Sequence, residues 1–131
     1  SNELGLVIAA DTIVVCNDKI LEKPVSISDA EQMLGQLSGR SHYVYSGVCV
    51  RTLQKTVVFN VRSEVIFKTL TPSAIKDYVA TGESMDKAGA YGAQGLGSEF
   101  IARIKGSRTN VIGLPVDELQ ATLQRDFKIE C

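Results

Sequence analysis

The segment from residue 82 to residue 97 combines side chains and backbone that could do chemistry. Its sequence is GESMDKAGAYGAQGLG, in which five glycines accompany Glu83, Asp86, Lys87 and Gln94. Glycines let the backbone approach a ligand closely, and free N–H groups together with a lysine can hold phosphate. The alternative, from composition alone, is a flexible surface loop.

Two further candidates stand near the beginning of the chain. Asp11 follows the apolar run Leu4–Ala10, and we expect it to end a strand that is buried on both faces, where α/β sheets collect their ligands. A carboxylate there can bind a divalent cation or accept a proton from water, and the alternative is a turn or capping role. Lys23 precedes Pro24 on a short loop, so it is either a fixed charge for phosphate or a solvated surface lysine.

Asp86 and Lys87 are adjacent within the glycine-rich segment. They form either an internal ion pair that holds the segment or a pair that receives metal and phosphate. His42 is the single histidine and stands at the start of a predicted strand without an obvious partner. We therefore expect no catalytic role for it, and a multi-histidine metal site is excluded.

The composition is that of one globular domain spanning residues 1–131. Of its residues, 44% are hydrophobic and 22% charged, and the net charge is −1. A protein that binds extended nucleic acid through phosphates is usually basic, so we expect no such partner. We also expect no membrane association and no signal peptide, because no apolar run approaches ~20 residues and Ser1–Glu3 carries no basic residue.

The three cysteines give no sign of a disulfide framework or a zinc site. Cys16 and Cys49 lie in apolar, strand-like sequence and are expected to be buried, whereas Cys131 ends the chain and is expected to be exposed. This usage is typical of a reducing compartment, most simply the cytoplasm.

Strand and helix patterns alternate along the chain, which indicates the α/β class with an antiparallel hairpin mixed in. In residues 59–67 the odd positions are expected to be buried and the even positions wet. The predicted strands are Leu4–Ala10 with its continuation Thr12–Cys16, Lys19–Leu21 after a turn at Asn17–Asp18, Tyr43–Val50, Thr56–Phe67 and Phe100–Ile104.

Three helices are predicted, starting at Ser28, Thr71 and Pro115. A Ser-x-x-Glu capping box starts the first, Thr-Pro starts the second, and Gly39 and Gly82 end these two. Residues 106–110 are expected to form a polar turn. The expected buried faces are Ile27, Ala30, Met33, Leu34 and Leu37, then Ile75, Tyr78 and Val79, and finally Val116, Leu119, Leu123 and Phe127.

A set of short motifs in a fixed order resembles the Maf family of nucleoside triphosphate pyrophosphatases. The resemblance covers nearly the whole chain, and its most specific part comprises Tyr78, Gly82-Glu83 and the stretch that begins at Asp86. The motifs are Ala10–Val14 (ADTIV), Ile20–Pro24 (ILEKP), Leu37–Gly39 (LSG), Ser46–Val48 (SGV, where Thr-Gly-Val is usual), Asp86–Gly92 (DKAGAYG) with Gln94–Gly95, Asn110–Val111 and Gly113–Pro115 (GLP).

The resemblance implies a fold and a reaction. The fold is a mixed, twisted central sheet with flanking helices, similar to that of inosine triphosphatases. The reaction is hydrolysis of a nucleoside triphosphate to the monophosphate and pyrophosphate with Mg²⁺ or Mn²⁺. The form of the segment around Asp86 is similar to the subgroup that acts on dTTP, UTP and modified pyrimidine nucleotides. Family members are commonly homodimers.

The resemblance also implies roles for particular residues. Asp11 is the proton acceptor for water or holds the metal, and Lys23 neutralises phosphate. Thr12 and Gln94 match positions tied to base selection. The remaining pair, Asp86 and Lys87, shapes the pocket and its charge.

One departure from the family concerns the beginning of the chain. The family normally starts with a strand and a Ser-x-x-Arg-Arg phosphate-binding loop, and neither precedes Leu4. We therefore expect this chain alone to be weakly active or inactive, with Arg103 and Arg108 as partial replacements for the arginines. Two other functions stay open, namely a nucleotide-binding regulator of septum formation and a module that keeps only the fold.

Overall fold

The computed structural model describes residues 5–129. Two predictions therefore lie outside the described residues, namely the start of the first strand at Leu4 and the exposure of Cys131. Ser1–Glu3 also lie outside the described residues.

Five strands form one sheet in the order β2-β1-β3-β4-β5, and each neighbouring pair is antiparallel. The α/β class and the β3–β4 hairpin are thus confirmed. The turn between β1 and β2 is Asn17–Asp18, whose positive φ angles of 51° and 63° are typical of two-residue hairpin turns. The strands are β1 Val7–Cys16, β2 Lys19–Leu21, β3 Ser41–Arg51, β4 Thr56–Phe67 and β5 Ile101–Lys105.

Four α-helices accompany the sheet in the described residues, and three short 3₁₀ turns form most of the glycine-rich segment. Thr71 caps the second helix as predicted, because its side chain accepts the Ala74 N–H at 3.0 Å. The helices are α1 Ile27–Leu37, α2 Pro72–Ala80, α3 Arg108–Ile112 and α4 Val116–Phe127, and the 3₁₀ turns are Glu83–Asp86, Ala88–Ala90 and Leu96–Phe100.

The two faces of the sheet are unequal. Alternate residues of β3, from His42 to Val50, are buried, and they pack with side chains of all four helices in two hydrophobic clusters. We call this the covered face. The opposite, open face carries exposed apolar side chains such as Ile13 and Val58, which are 36% and 67% exposed. The predicted alternation in residues 59–67 is confirmed, since Ser63, Val65 and Phe67 are buried.

The prediction for β1 was wrong in two respects. Asp11 does not end a strand, because its backbone pairs with Gly47 in the middle of a continuous ladder between β1 and β3. The strand is not buried on both faces either, since residues 7–11 are all exposed. Cys16 is buried as expected, but Cys49 is only partly buried because its position in the alternation places it on the open face.

Three helix predictions also need correction. The side chain that caps α1 is Ser26 rather than Ser28, and it accepts the Asp29 N–H at 3.0 Å. Ile27 is 63% exposed, and it is the first residue of α1. Val116, the first residue of α4, is 37% exposed.

The expected polar turn at residues 106–110 is instead the beginning of α3. The Ser107 hydroxyl accepts the Asn110 N–H at 3.1 Å and so caps this helix. Asn110 itself is fully buried, because its amide bonds to groups of the sheet that are distant in sequence.

Candidate functional site

One cleft brings the sequence-predicted site residues together. Its volume is about 460 Å³, and part of its floor is the covered side of β1, with Ala10, Thr12 and Val14. The residues that line it include all six candidates, namely Asp11, Thr12, Lys23, Asp86, Lys87 and Gln94.

Thr12 joins three elements at the floor of the cleft. Its hydroxyl is 2.8 Å from the Ser46 hydroxyl of β3 and donates to the Gly113 carbonyl, just beyond α3, at 3.3 Å. A hydroxyl offers one donor and two acceptor lone pairs. With these bonds made, one acceptor position of Thr12 is free for a ligand.

Asp11 lies at the rim of the cleft. Strand alternation gives it the face opposite to Thr12, and it is exposed. Within residues 5–129 its carboxylate has no hydrogen-bond or ion-pair partner. Asp11 and Lys23 also border a second, adjacent depression of about 450 Å³, so they stand where the two meet.

The cations of the cleft differ in their pairing. Lys23 is exposed and has no side-chain partner in the described part of the chain. Lys87 contacts Asp86, with 3.2 Å between Nζ and Oδ1, and these side chains are 44% and 76% exposed. The two side chains are thus in ion-pair contact, but an exposed pair contributes little to stability and leaves both groups accessible to a ligand.

Glu83, which sequence analysis assigned no role, organises the glycine-rich segment. Its Oε1 accepts the Tyr78 hydroxyl at 2.8 Å and the Gly97 N–H at 3.2 Å. Its Oε2 accepts the Leu96 N–H at 3.3 Å. The Tyr78 hydroxyl in turn accepts the Gly92 N–H at 3.0 Å. Burial is the main cause that raises the pKa of Tyr78 above its ordinary value, so the phenol stays protonated and donates.

Two glycines are explained by this cluster. A Cβ at Gly92 would lie 2.8 Å from Glu83 Oε1, and one at Gly97 would collide with the Gly92 carbonyl and lie 2.8 Å from the Tyr78 hydroxyl. At these positions the backbone bends closely around a carboxylate of its own chain. The sequence signal was a Tyr and a Glu five residues apart on either side of a helix end.

A second anchor joins the segment to the sheet. His42 Nε2 and the Tyr91 hydroxyl form a buried hydrogen bond of 2.6 Å, and both rings pack edge-on against Phe67. The expectation that His42 lacks a partner was therefore wrong. Burial lowers the pKa of His42 to about 4, so the ring is neutral at pH 7. His42 does not line the cleft, whereas Tyr91 does.

Asn110 fixes α3 beside the cleft. Its Nδ2 donates to the carbonyls of Val44 and Val61 at 3.1 and 3.2 Å and lies 3.1 Å from the Ser63 hydroxyl. Because α3 is held in this way, the residues that follow Asn110, numbers 111–113, line the cleft. Sequence analysis missed this role, although Asn110 belongs to one of the quoted motifs.

Two predicted contributions do not reach the cleft. Neither Arg103 nor Arg108 lines it, and Arg103 is on β5, three strands from β1 in the sheet order. Within residues 5–129, no three or more His, Cys, Asp or Glu side chains are grouped so that they could hold a metal. No helix formed by these residues is both long and apolar enough to cross a bilayer.

Comparisons with known proteins agree with the quoted motifs. A family model described as Maf-like protein matches residues 1–126. A dTTP/UTP pyrophosphatase of Clostridium perfringens strain SM101 is 52% identical over 125 residues, which are 94% of this chain and 65% of that protein. The corresponding proteins of Syntrophomonas wolfei and Vibrio vulnificus strain YJ016 are 48% and 46% identical, over 94% and 93% of this chain and 66% of each relative. The chain thus spans slightly less than two-thirds of the length of each of these relatives.

Proposed function

The chain belongs to the Maf family, and from this premise we propose that it is the nucleotide-binding part of a nucleoside triphosphate pyrophosphatase. The proposed substrates are dTTP, UTP and modified pyrimidine nucleotides, since the similar proteins are named dTTP/UTP pyrophosphatases. One observation carries the proposal. Asp11, Lys23 and Gln94 are distant in sequence, yet they line a single cleft.

The chemistry of the proposed reaction fits the charges of the cleft. Water attacks the α-phosphorus in line with the departing pyrophosphate, and negative charge spreads over the phosphoryl oxygens. Cations and N–H donors stabilise such charge. Lys23 and Lys87 supply the cations. Asp11 is accessible and unpaired in the described residues, as a base that takes a proton from water must be.

Thr12 and Gln94 are proposed to read the base. The Gln94 amide offers both a donor and an acceptor, which suits the edge of a pyrimidine. Thr12 retains an acceptor lone pair at the floor of the cleft after its bonds to Ser46 and Gly113.

The donor set also fits a divalent metal of a particular kind. Mg²⁺ commonly binds through one or two carboxylates, several waters and the phosphates of the substrate. Asp11 is an oxygen donor without a partner in the described chain, and no cluster of three ligands exists there. It would hold a metal that arrives with the nucleotide rather than one caged by protein alone. When bound, Mg²⁺ or Mn²⁺ would neutralise phosphate charge.

Three properties of the whole protein are also proposals, namely its need for an N-terminal segment, its location and its oligomeric state. We propose that residues 1–131 need the family's N-terminal Ser-x-x-Arg-Arg segment for full turnover, because neither Arg103 nor Arg108 lines the cleft. We also propose that the protein forms a homodimer. Its proposed location is the cytoplasm, where nucleotides are abundant and free thiols such as Cys16 persist. The alternative of a septum regulator gains no separate support, since the similar proteins are named as pyrophosphatases.

A nucleotide panel tests the function. Pyrophosphate release is measured with dTTP, UTP, CTP, ATP and GTP, with Mg²⁺ or Mn²⁺. The chain is assayed alone and preceded by the N-terminal segment of the C. perfringens relative. We expect hydrolysis of dTTP and UTP, faster with the segment. Absence of pyrophosphate release in both forms would refute the proposed reaction, and equal rates would refute the need for the segment.

A further inference from the structure

Gln94 lies between two fixed points of the backbone. On its N-terminal side, the Gly92 N–H is bound to the Tyr78 hydroxyl at 3.0 Å. On its C-terminal side, the N–H groups of Leu96 and Gly97 are bound to the Glu83 carboxylate at 3.3 and 3.2 Å. The Gln94 side chain itself is exposed and has no hydrogen-bond partner in the described chain, so its position depends on these backbone anchors.

Resting on the function proposed above, we propose that Glu83 is a positioning residue that holds Gln94 at the cleft and thereby sets the preference for pyrimidine nucleotides. Glu83 does not line the cleft. It borders a separate depression behind the segment, with Gly82 and Leu96. It therefore acts through the backbone around Gln94 and does not touch the nucleotide.

The geometry requires a carboxylate at this position. Three donors converge on it, namely the Tyr78 hydroxyl and the N–H groups of Leu96 and Gly97. An ionised carboxylate only accepts, whereas a glutamine carries one oxygen and one NH₂ group. In a Glu83→Gln protein, at least one of the three donors loses its acceptor or faces another donor.

We call the bonds from Glu83 to Tyr78, Leu96 and Gly97 the clamp. The close packing of the segment makes this clamp stiff. The hypothetical Cβ of Gly92 lies 2.8 Å from Glu83 Oε1, and that of Gly95 lies 3.2 Å from Glu83 Oε2. The backbone on both sides of Gln94 is thus in contact with the carboxylate. A change in the hydrogen bonds of Glu83 must therefore shift the residues on both sides of Gln94.

Steady-state kinetics on the active form test the proposal. In Glu83→Gln we expect the KM for dTTP to rise about tenfold, with kcat changed by less than about threefold. The preference for dTTP over GTP should fall by a similar factor. Tyr78→Phe removes the phenol's bonds to Glu83 and Gly92 but keeps the bonds from Glu83 to the Leu96 and Gly97 N–H groups, so its effect should be smaller and in the same direction.

The matched control is Glu99→Gln. Glu99 is an exposed glutamate of the 3₁₀ turn Leu96–Phe100, and the change removes the same charge, so we expect less than about a twofold change in KM. An equal fall in kcat for every nucleotide, with KM unchanged in Glu83→Gln, would indicate simple loss of folded protein and would overturn the positioning role.

A double-mutant cycle tests whether Glu83 acts through Gln94. In a Gln94→Ala background, Glu83→Gln should raise KM by less than about twofold, because the positioned group is already absent. If the full tenfold increase persists in that background, Glu83 does not act through Gln94 and the proposal fails.

Amide exchange separates this proposal from the proposed function, since it needs no turnover. In Glu83→Gln, exchange at Leu96 and Gly97 should accelerate at least about tenfold, while amides of β3 and β4 keep their rates. Unchanged exchange at Leu96 and Gly97 would overturn the clamp. If the wild-type protein hydrolyses no nucleotide but exchange accelerates, the pyrophosphatase proposal fails while the clamp is supported.

Discussion

The two walls of the cleft are held in different ways. On one side, residues 83–97 are fixed to themselves and to the sheet through Glu83, Tyr78 and the bond between Tyr91 and His42. On the other side, residues 7–13 of β1 pair only with β3 among the described strands, since β2 pairs with residues 14–16. Asp11 in this second wall is exposed and has no partner in residues 5–129.

The difference separates structure from chemistry. Glu83, Tyr78, Tyr91 and His42 anchor the first wall through hydrogen bonds. Their loss should therefore cost stability or positioning. In the second wall the Asp11 side chain makes no such bond within residues 5–129, so its loss should cost activity while the protein stays folded. The following predictions break or sharpen this contrast.

The largest effect is expected at Asp11. Asp11→Asn should lower turnover of dTTP about 10²–10⁴-fold, as for the loss of a general base. The free energy of unfolding should change by less than about 0.5 kcal/mol, because the side chain is exposed. Pyrophosphate release and urea unfolding measure the two quantities. Asp18→Asn, in the adjacent turn, is the control and should leave turnover unchanged. Retained turnover in Asp11→Asn would remove this residue from the proposed mechanism.

Acid should weaken the first wall through His42. Its pKa is about 4 in the folded protein and about 6.5 in the unfolded chain. Between these values only the unfolded state binds the proton, so stability is greatest above pH 6.5 and falls by about 3 kcal/mol as the pH drops to 4. Urea unfolding across this range should show a smaller loss for His42→Gln. Equal losses in the two proteins would mean that other groups cause the acid sensitivity.

The glycines of the first wall provide the next test. Gly97→Ala places a Cβ against the Gly92 carbonyl and the Tyr78 hydroxyl, and should destabilise the protein by about 1–3 kcal/mol. Gly35→Ala, within α1, meets nothing within 4 Å and should stabilise by about 0.5–1 kcal/mol. Chemical denaturation of both variants measures the difference. Similar stabilities would show that residues 92–97 tolerate more movement than their packing suggests.

The smallest effect is expected at Lys23. Lys23→Ala should raise the KM for dTTP about tenfold without changing stability, because an exposed cation attracts triphosphate but packs little. The difference from wild type should shrink in high salt. Lys19→Ala removes an exposed charge of β2 that does not line the cleft, and its KM should change by less than about twofold. The same rise in both variants would indicate a general charge effect.

Local signals in the sequence were sufficient for much of the fold. The Thr71-Pro72 start of α2 and the Asn17–Asp18 turn were predicted correctly, since each depends on neighbouring residues. Two serines two positions apart, Ser26 and Ser28, could not be told apart as caps by pattern alone. The burial of Asn110 was missed because its partners Val44 and Val61 are distant in sequence.

The sequence predicted which residues line the site but not the contacts that hold them in place. The quoted motifs identified six residues that line one cleft. The run Thr12–Cys16 correctly predicted a continuation of the strand, but the end expected at Asp11 is absent, because its backbone pairs with Gly47. Five glycines suggested a backbone bent around a ligand, yet at Gly92 and Gly95 the backbone bends around Glu83. Composition indicates that a close approach occurs, and only the three-dimensional contacts identify what is approached.

The bond between Thr12 and the Gly113 carbonyl joins residues 101 positions apart. During synthesis, the cleft therefore stays incomplete until residue 113 has left the ribosome. Nascent or prematurely terminated chains that lack α3 have no finished floor on which a nucleotide can rest. On the proposed function, a bound nucleotide would stabilise chains that contain α3 selectively against proteolysis.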